Sequence, residues 1–419
     1  MTIDAITSRQ ILDSRGRPTL ETTVHVATGV SGTAAVPAGA STGSHEAQEL
    51  RDHDPEQYQG AGVLKAIDQI TGPIARALKG RDVRDQRAID QIMIDLDATV
   101  NKSALGANTI LSVSLAVMRA NAALQKQPLY RAIQHTFDFP PPAADRLPRP
   151  LMNIINGGKH ADTHVKIQEF LIVPDGPSVA TRIERGVHVY HQLAVLLKTQ
   201  HLSTLLGDEG GFAPDLKADE LALGLLLEAC TAAGYEVPKE MGLAVDFAAT
   251  EFYDSASQRY QFGPTAGGLS AVGMIGLIGE WLKKYPLLSL EDPLAEDDWD
   301  GWAQLTKKIG KKTMIVGDDL LVTNRSRLER AIASGAANAL IIKPNQIGTL
   351  TETIETIQAA QTAKYAVIVS HRSGETVDSF ISDLAVAVGA PWLKAGAPAR
   401  GERVAKYNRL LQIEQELLA

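Results

Sequence analysis

The fold of this chain is decided by LLSLEDP (287–293), MIVGDD (314–319) and ALIIKP (339–344), three short apolar runs that each lead into an ionisable residue. Amphipathic segments at 325–334 and 350–363 follow the last two runs, so strand-like and helix-like stretches alternate. Five further apolar runs share this character: LMNII (151–155), EFLIV (169–173), GLAV (242–245), AVIVS (366–370) and PWL (391–393). Eight such runs within about 270 residues predict an α/β fold of the (β/α)8-barrel type.

The chain divides before the barrel. The alternation of residues 20–26 predicts strands near the N-terminus, and helical periodicity follows from 63 to 125, which is typical of an α+β unit. FPPPAADRLPRP (139–150) contains five prolines, which can neither continue a helix nor lie inside a central strand. We therefore predict an α+β capping domain at 1–138, a linker at 139–150 and a barrel at 151–419. Because 156–168 is a Gly- and His-rich loop, the barrel should begin irregularly, without a helix between its first two strands.

Composition excludes several classes of protein. The 419 residues include 49 Asp and Glu against 41 Lys and Arg, a net charge of −8, whereas nucleic-acid-binding domains are usually basic. The single Cys230 cannot form an internal disulfide. No window approaches the about 18 continuous apolar residues of a membrane helix, and MTIDAITSRQ (1–10) lacks the basic start of a secretory signal. We expect a cytoplasmic protein that binds no nucleic acid and has no membrane segment.

Three carboxylates follow neighbouring runs: Asp246, Glu291 and Asp318. At the carboxyl ends of barrel strands they would meet at the mouth, and their mutual repulsion favours a cation between them. An oxygen-only ligand set indicates Mg²⁺ or Mn²⁺, whereas neutralisation by nearby Lys and Arg is the alternative. Strand alternation turns the adjacent Asp292 and Asp319 to the other face, away from the mouth.

Cationic residues follow the remaining runs. Lys343 and Lys394 would lie near the proposed cation, and their repulsion favours the neutral amine of at least one, which can act as a base or as a Schiff-base nucleophile. HRSG (371–374) adds His371, Arg372 and Ser373, a plausible phosphate clamp.

Three loops complete the predicted site. GDEGGFAP (207–214) places Asp208 and Glu209 before paired glycines, where the backbone can approach a ligand closely. PAGASTG (37–43) is either a plain linker or a mobile lid over the substrate. NGGKHADT (156–163) offers His160, although a lone histidine is more often structural.

The chain as a whole resembles the enolase family. The resemblance includes the segments already quoted and rests most firmly on GDEGGFAP (207–214), SHRSGET (370–376) and K-x-NQIGT (343–349). It extends from DSRGRPTLE (13–21) to KAGAPARGERVAKYN (394–408) with the motifs in the expected order. It implies a ββαα(βα)6 barrel behind the capping domain and reversible dehydration of 2-phosphoglycerate to phosphoenolpyruvate in glycolysis and gluconeogenesis.

The resemblance also implies a role for each matched residue. Asp246, Glu291 and Asp318 would hold one Mg²⁺, and Ser41 would help to hold a second that arrives with substrate; Mn²⁺ could substitute. Lys343 would remove the C2 proton. Glu209, with Glu169 next to it, would protonate the departing C3 hydroxyl. The remaining assignments concern substrate binding: Lys394 at the carboxylate, Arg372 and Ser373 at the phosphate, and Gln168, His160 and His371 lining the pocket.

Departures from the family pattern are few. Ala38 and Ala395 stand where hydroxyl residues are common, which affects the expected lid closure and substrate affinity. Three alternatives stay open: a racemase or another acid dehydratase of the superfamily, a Schiff-base aldolase, and a surface-binding protein. Family members use C-terminal lysines for that last role, whereas this chain ends in QELLA, although a secondary cell-surface or secreted pool stays compatible with the sequence. The resemblance further implies a homodimer or an octamer built from dimers.

Overall fold

A computed structural model describes residues 1–39, 43–263 and 267–419 of the chain. The strands are β1 (Ile3–Leu12), β2 (Pro18–Val26), β3 (Ser31–Ala35), β4 (Arg149–Asn156), β5 (Glu169–Pro174), β6 (Met241–Asp246), β7 (Tyr253–Asp254), β8 (Arg259–Tyr260), β9 (Leu287–Glu291), β10 (Met314–Gly317), β11 (Ala339–Ile342), β12 (Ala366–Ser370) and β13 (Trp392–Lys394). The helices are α1 (Leu64–Gln69), α2 (Ala75–Leu78), α3 (Gln86–Asp97), α4 (Ala107–Gln125), α5 (Leu129–Thr136), α6 (Val179–Thr199), α7 (Glu220–Ala232), α8 (Ala271–Lys284), α9 (Trp299–Ile309), α10 (Arg325–Ser334), α11 (Pro344–Ile347), α12 (Leu350–Thr362), α13 (Phe380–Ala387) and α14 (Gly401–Leu418).

The N-terminal part is an antiparallel sheet covered by helices. The sheet has the order β1-β2-β3, and the predicted alternation of β2 is confirmed because Leu20 and Val24 are buried against α4. The helix approaches the sheet closely at Gly32, where an added Cβ would lie 2.1 Å from the backbone nitrogen of Ala120. The helical periodicity at 63–78 becomes α1 and α2 joined by a π-helical turn that contains Pro73, which cannot donate a backbone hydrogen bond.

All eight predicted runs are barrel strands, in the closed order β10-β11-β12-β13-β4-β5-β6-β9. Neighbouring strands are parallel except that β5 is antiparallel to both β4 and β6. Two helices, α6 and α7, then separate β5 from β6, so the barrel has the ββαα(βα)6 order. The predicted fold class, including its irregular start, is confirmed.

The reversed strand brings its amino end to the barrel mouth. Glu169, the first residue of β5, pairs in register with Asp246 at the carboxyl end of β6 and with Asn156 at the end of β4. Residues 166–169 therefore reach the same edge as the carboxyl ends of the parallel strands. A regular βα unit would have placed them at the opposite end.

Between the sheet and the barrel, the Pro-rich segment contains one short 3₁₀ turn, Ala144–Arg146. The first barrel strand begins at Arg149, two residues before the predicted run. The division at 139–150 stays a prediction. Within the three described ranges, no helix is both long and apolar enough to cross a membrane.

Candidate active site

The barrel mouth carries two arcs of opposite charge. Asp246, Glu291 and Asp318 lie at the ends of the consecutive strands β6, β9 and β10. The next three strands, β11, β12 and β13, end in a second set of ionisable residues: Lys343, His371, Arg372 and Lys394. Strand order thus places the carboxylates and the cations that sequence analysis selected at one edge of the barrel, where Lys394 contacts Asp246 and Glu291 and Lys343 contacts Asp318.

Lys394 binds three buried carboxylates at once. Its Nζ lies 2.8 Å from Glu291 Oε1, 3.1 Å from Asp246 Oδ2 and 3.3 Å from Glu169 Oε1. Burial opposes the ammonium form, but the charges of Asp246, Glu169 and Glu291 raise the pKa of Lys394 well above its ordinary value. We call Lys394 and these three carboxylates the Lys394 wall.

Among the described residues, Lys343 has one carboxylate partner in contact, since its Nζ binds Asp318 Oδ2. Gln346, in the first turn after Lys343, donates to Asp318 Oδ1 at 2.9 Å and accepts from Thr323 Oγ1 at 2.8 Å. Burial opposes the charged amine, whereas Asp318 raises the pKa of Lys343 above its ordinary value. We call Lys343, Asp318 and Gln346 the Lys343 wall.

Both lysines have raised pKa values, which is the opposite of the expected neutral amine. The expectation assumed a cation between the carboxylates. In the protein alone each ammonium contacts a carboxylate, so attraction exceeds the repulsion between the lysines.

The orientation predicted for Asp292 and Asp319 is wrong. β9 ends at Glu291 and β10 at Gly317, so strand alternation no longer applies to these residues. Asp292 accepts hydrogen bonds from the backbone nitrogens of Asp318 (2.9 Å) and Asp319 (2.7 Å), and carboxylate oxygens of all three lie within 4.8 Å of one another. Asp292 therefore orients the backbone that carries Asp318.

Two glutamates and a histidine form a second cluster. One ligand atom from each of His160, Glu169 and Glu209 lies within 4.8 Å of the others, and all three are buried. Burial and the charge of Glu209 raise the pKa of Glu169 well above its ordinary value. Burial acts in the same direction on Glu209, but nearby His371 and His160 lower the pKa of Glu209 below its ordinary value. The two neighbouring carboxyl groups therefore differ in proton affinity, with that of Glu169 raised and that of Glu209 lowered.

The predicted phosphate clamp contacts the capping region. Arg372 Nη1 donates to Glu46 Oε2 at 2.9 Å and Nη2 to Glu46 Oε1 at 3.2 Å, an almost fully buried bidentate pair. Glu46 follows the predicted lid, so a charged contact joins the lid segment to the barrel mouth. Ser41 itself lies outside the described residues.

One cavity of about 280 Å³ collects most of the predicted residues. Its lining comprises His160, Gln168, Glu169, Glu209, Lys343, Ser370, His371, Arg372, Ser373 and Lys394. Every substrate-binding residue of the sequence analysis lies on this cavity.

The chemistry of the donor set fits a divalent cation. Five carboxyl groups are buried at the mouth: Glu169, Glu209, Asp246, Glu291 and Asp318. Within the part of the chain that the structure describes, the lysines that contact them directly are Lys343 and Lys394. Burial is the main cause that raises the pKa of Glu291 well above its ordinary value, and the charge of Asp246 acts in the same direction. Hard carboxylate oxygens in excess over cations are the ligands that Mg²⁺ prefers.

Sequence reasoning missed several residues that support the site. Glu46 and Asn153 are examples: Asn153 Nδ2 donates to Glu209 Oε2 at 3.0 Å. Gln346 lies in the quoted K-x-NQIGT motif, so its position one helical turn after Lys343 was an available signal. No sequence signal was available for Glu46, because nothing in its local sequence indicates that it contacts Arg372.

A closed ββαα(βα)6 barrel with ionisable residues at its mouth has the architecture of a barrel enzyme. Comparison with known families identifies the family of barrel proteins. The model described as "Enolase, N-terminal domain" matches residues 3–133, and the one described as "Enolase, C-terminal TIM barrel domain" matches residues 144–419. The chain belongs to the enolase family and is a lyase of the enolase superfamily.

Proposed function

We propose that this protein is a phosphopyruvate hydratase that dehydrates 2-phosphoglycerate reversibly to phosphoenolpyruvate. The observation that carries the proposal is the placement of base and acid. The base Lys343 follows β11. Glu169, which has a carboxylate oxygen within 4.8 Å of one of the acid Glu209, begins β5, four strands away in a ring of eight. Lys343 and this acid pair therefore lie on opposite sides of the cavity that all three residues line. Removal of a proton and loss of a hydroxide from adjacent carbons need such a pair of groups.

The proposed cation ligands are Asp246, Glu291 and Asp318, with Ser41 for a second Mg²⁺. A cation held by these residues would supply Lewis-acid stabilisation of the negative charge that develops on the substrate. A pattern of this kind, with a Lys base and one or two Mg²⁺, is general for the superfamily.

The first chemical step is proton removal. Lys343 Nζ, as the free amine, takes the proton from C2 of the substrate. Lys394 keeps its proton because three carboxylates contact it, and its ammonium offsets the negative charge that develops on the substrate carboxylate. The two lysines thus have different roles although both lie at the mouth.

The second step is loss of the C3 hydroxyl. Hydroxide is a poor leaving group, so it needs a proton from the acid side of the cavity. The proton held by the Glu169–Glu209 pair passes to Glu209, which delivers it to the departing oxygen, so the hydroxyl leaves as water and two carboxylates remain. A proton from solvent restores the pair before the next turnover.

Arg372 and Ser373 bind the phosphate. The guanidinium is buried and bidentate toward Glu46 in the free protein, and the same planar fork suits a phosphate. Gln168, His160 and His371 complete the wall of the cavity. We expect a homodimer or an octamer of dimers, which light scattering checks.

The test is a turnover assay. Purified protein with Mg²⁺ should produce the ultraviolet absorbance of phosphoenolpyruvate from 2-phosphoglycerate. EDTA should abolish the activity, and added Mg²⁺ should restore it. Dehydration of a non-phosphorylated acid sugar with no turnover of 2-phosphoglycerate would assign the protein to another superfamily reaction.

A further inference from the structure

We propose that Arg403 is a positioning residue that fixes His371 as the neutral tautomer with its hydrogen on Nε2, facing Glu209 and the cavity. The assignment of the tautomer stands on geometry alone. Its consequence for turnover rests on the proposed function, in which Glu209 delivers a proton.

Arg403 lies in the first turn of α14 and is completely buried. Its Nη1 donates to His371 Nδ1 at 2.6 Å and to the carbonyl oxygen of Arg372 at 2.5 Å. Its Nη2 donates to the carbonyl oxygens of Ser373 at 2.5 Å and Asp208 at 3.2 Å. Ser14 Oγ lies 3.5 Å from the same Nη2, so the four N–H groups of the two amino nitrogens have five acceptors within reach.

The direction of the bond to the histidine follows from the chemistry of the guanidinium. An arginine side chain has five N–H donors and no acceptor, and it stays charged in proteins. His371 Nδ1 must therefore be the acceptor, which means that it carries no hydrogen. An imidazole with a bare Nδ1 is neutral and carries its hydrogen on Nε2. Burial acts in the same direction, since it lowers the pKa of His371 to about 3.

The other side of the ring faces the acid pair. His371 Nε2 lies 3.3 Å from Glu209 Oε2, and within the described residues it forms no aligned hydrogen bond. Asn153 Nδ2 donates to the same oxygen at 3.0 Å. Oε2 accepts a hydrogen bond from Asn153 and has the Nε2 of His371 3.3 Å away, so a proton on Glu209 belongs on Oε1.

The opposite tautomer would change this arrangement. A lone pair on Nε2 would face Glu209 Oε2, where it would repel an ionised carboxylate or accept the proton that Glu209 should deliver. Arg403 prevents both outcomes without touching the cavity. The same guanidinium binds the backbone of residues 372, 373 and 208, so a purely structural role is the alternative that an experiment must separate.

The first measurement needs no variant of Arg403. In protein labelled with ¹⁵N at its ten histidines, nitrogen shifts distinguish a protonated from an unprotonated ring nitrogen, and the His371 signals are those that vanish in His371→Gln. We expect the hydrogen on Nε2 and a bare Nδ1 at neutral pH. A hydrogen on Nδ1, or an imidazolium, would overturn the proposal.

The second measurement separates positioning from general support. Arg403→Met, which removes every donor, should lower kcat about tenfold or more with little change in KM, and should populate the second tautomer. Arg403→Lys, which keeps a donor-only group, should restore the single tautomer. In the His371→Gln background, Arg403→Met should cost less than about twofold, because no tautomer is left to fix. An equal loss in both backgrounds would show that Arg403 only supports the loops.

Arg409 offers a matched control on the same helix. It pairs with Asp383 at 2.7 Å and makes no contact with the loops of the site within the described residues, so Arg409→Lys should leave the tautomer and kcat unchanged. The two proposals fail separately. An Nε2–H tautomer in a protein that does not turn over 2-phosphoglycerate would refute the function alone, whereas turnover with a hydrogen on Nδ1 would refute only the role of Arg403.

Discussion

The Lys394 wall and the Lys343 wall use the same residue types and yet hold their lysines differently. Lys394 Nζ lies within 3.3 Å of three carboxylates that come from three different strands. Lys343 Nζ contacts only Asp318 among the carboxylates of the described residues. Three carboxylates stabilise the ammonium form of Lys394, whereas one carboxylate stabilises that of Lys343.

This difference indicates which lysine can act as the base. A general base must release its proton before each turnover, and Lys394 would have to do so while three carboxyl groups contact its Nζ. Lys343 faces one, and Asp318 is also a proposed cation ligand. A bound cation would therefore compete for the charge that holds the proton on Lys343.

The largest expected effect is that of Lys343→Ala. Removal of the base should lower kcat by about 10³- to 10⁴-fold, which steady-state kinetics would measure. The exposed Lys308 on α9 provides a matched control, and Lys308→Ala should leave kcat unchanged. Near-normal turnover by Lys343→Ala would contradict its assignment as the base and would favour Lys394 in that role.

Lys394→Met should have a smaller kinetic effect but a larger effect on stability. Loss of the ammonium should lower kcat about 10²- to 10³-fold, because it removes electrostatic stabilisation of the developing charge. It also leaves three buried carboxylates without their partner, and breaking a buried pair costs about 3–5 kcal/mol. The melting temperature should therefore fall further in Lys394→Met than in Lys343→Ala. Equal melting temperatures would remove the distinction between the walls.

Glu209→Gln should lower kcat about 10²-fold, because the proton on the acid side can no longer be delivered. The variant keeps the volume of the side chain and an oxygen acceptor for Asn153, so the melting temperature should stay close to that of the wild type. The measurement is kcat with 2-phosphoglycerate beside a thermal unfolding scan.

The smallest expected effect is on the pH dependence of stability. His371 has a folded-state pKa of about 3, below its ordinary value of 6.5. Between these values the unfolded chain binds a proton that the folded protein does not, so acidification destabilises the fold by about 1.4 kcal/mol per pH unit. The melting temperature should fall as the pH is lowered from about 6 to about 4, and this fall should be smaller in His371→Gln than in the wild type. The exposed His201 serves as the control, and His201→Asn should leave that fall unchanged.

Much of this arrangement could be predicted from sequence because it depends on local pattern. The strand of residues 287–291 and its terminal Glu291 follow from an apolar run with a charged end, and the order of the runs gave the barrel. Asp292 shows where such reasoning fails, since alternation holds only inside a strand and this one ends at Glu291.

Contacts distant in sequence were beyond that reasoning. Glu46 meets Arg372 across 326 positions, and Arg403 meets His371 only because α14 packs beneath the mouth. Neither the hydrophobic periodicity nor the spacing of motifs predicts contacts between residues so far apart in sequence. The raised pKa values of both lysines likewise depend on side-chain placement at the atomic scale.

The most direct test of the account follows the C2 hydrogen of 2-phosphoglycerate in deuterated water with Mg²⁺ present. We predict that Glu209→Gln exchanges this hydrogen while forming little phosphoenolpyruvate, and that Lys343→Ala neither exchanges it nor forms product. Exchange by Lys343→Ala at the rate of the wild type would contradict the assignment of Lys343 as the base.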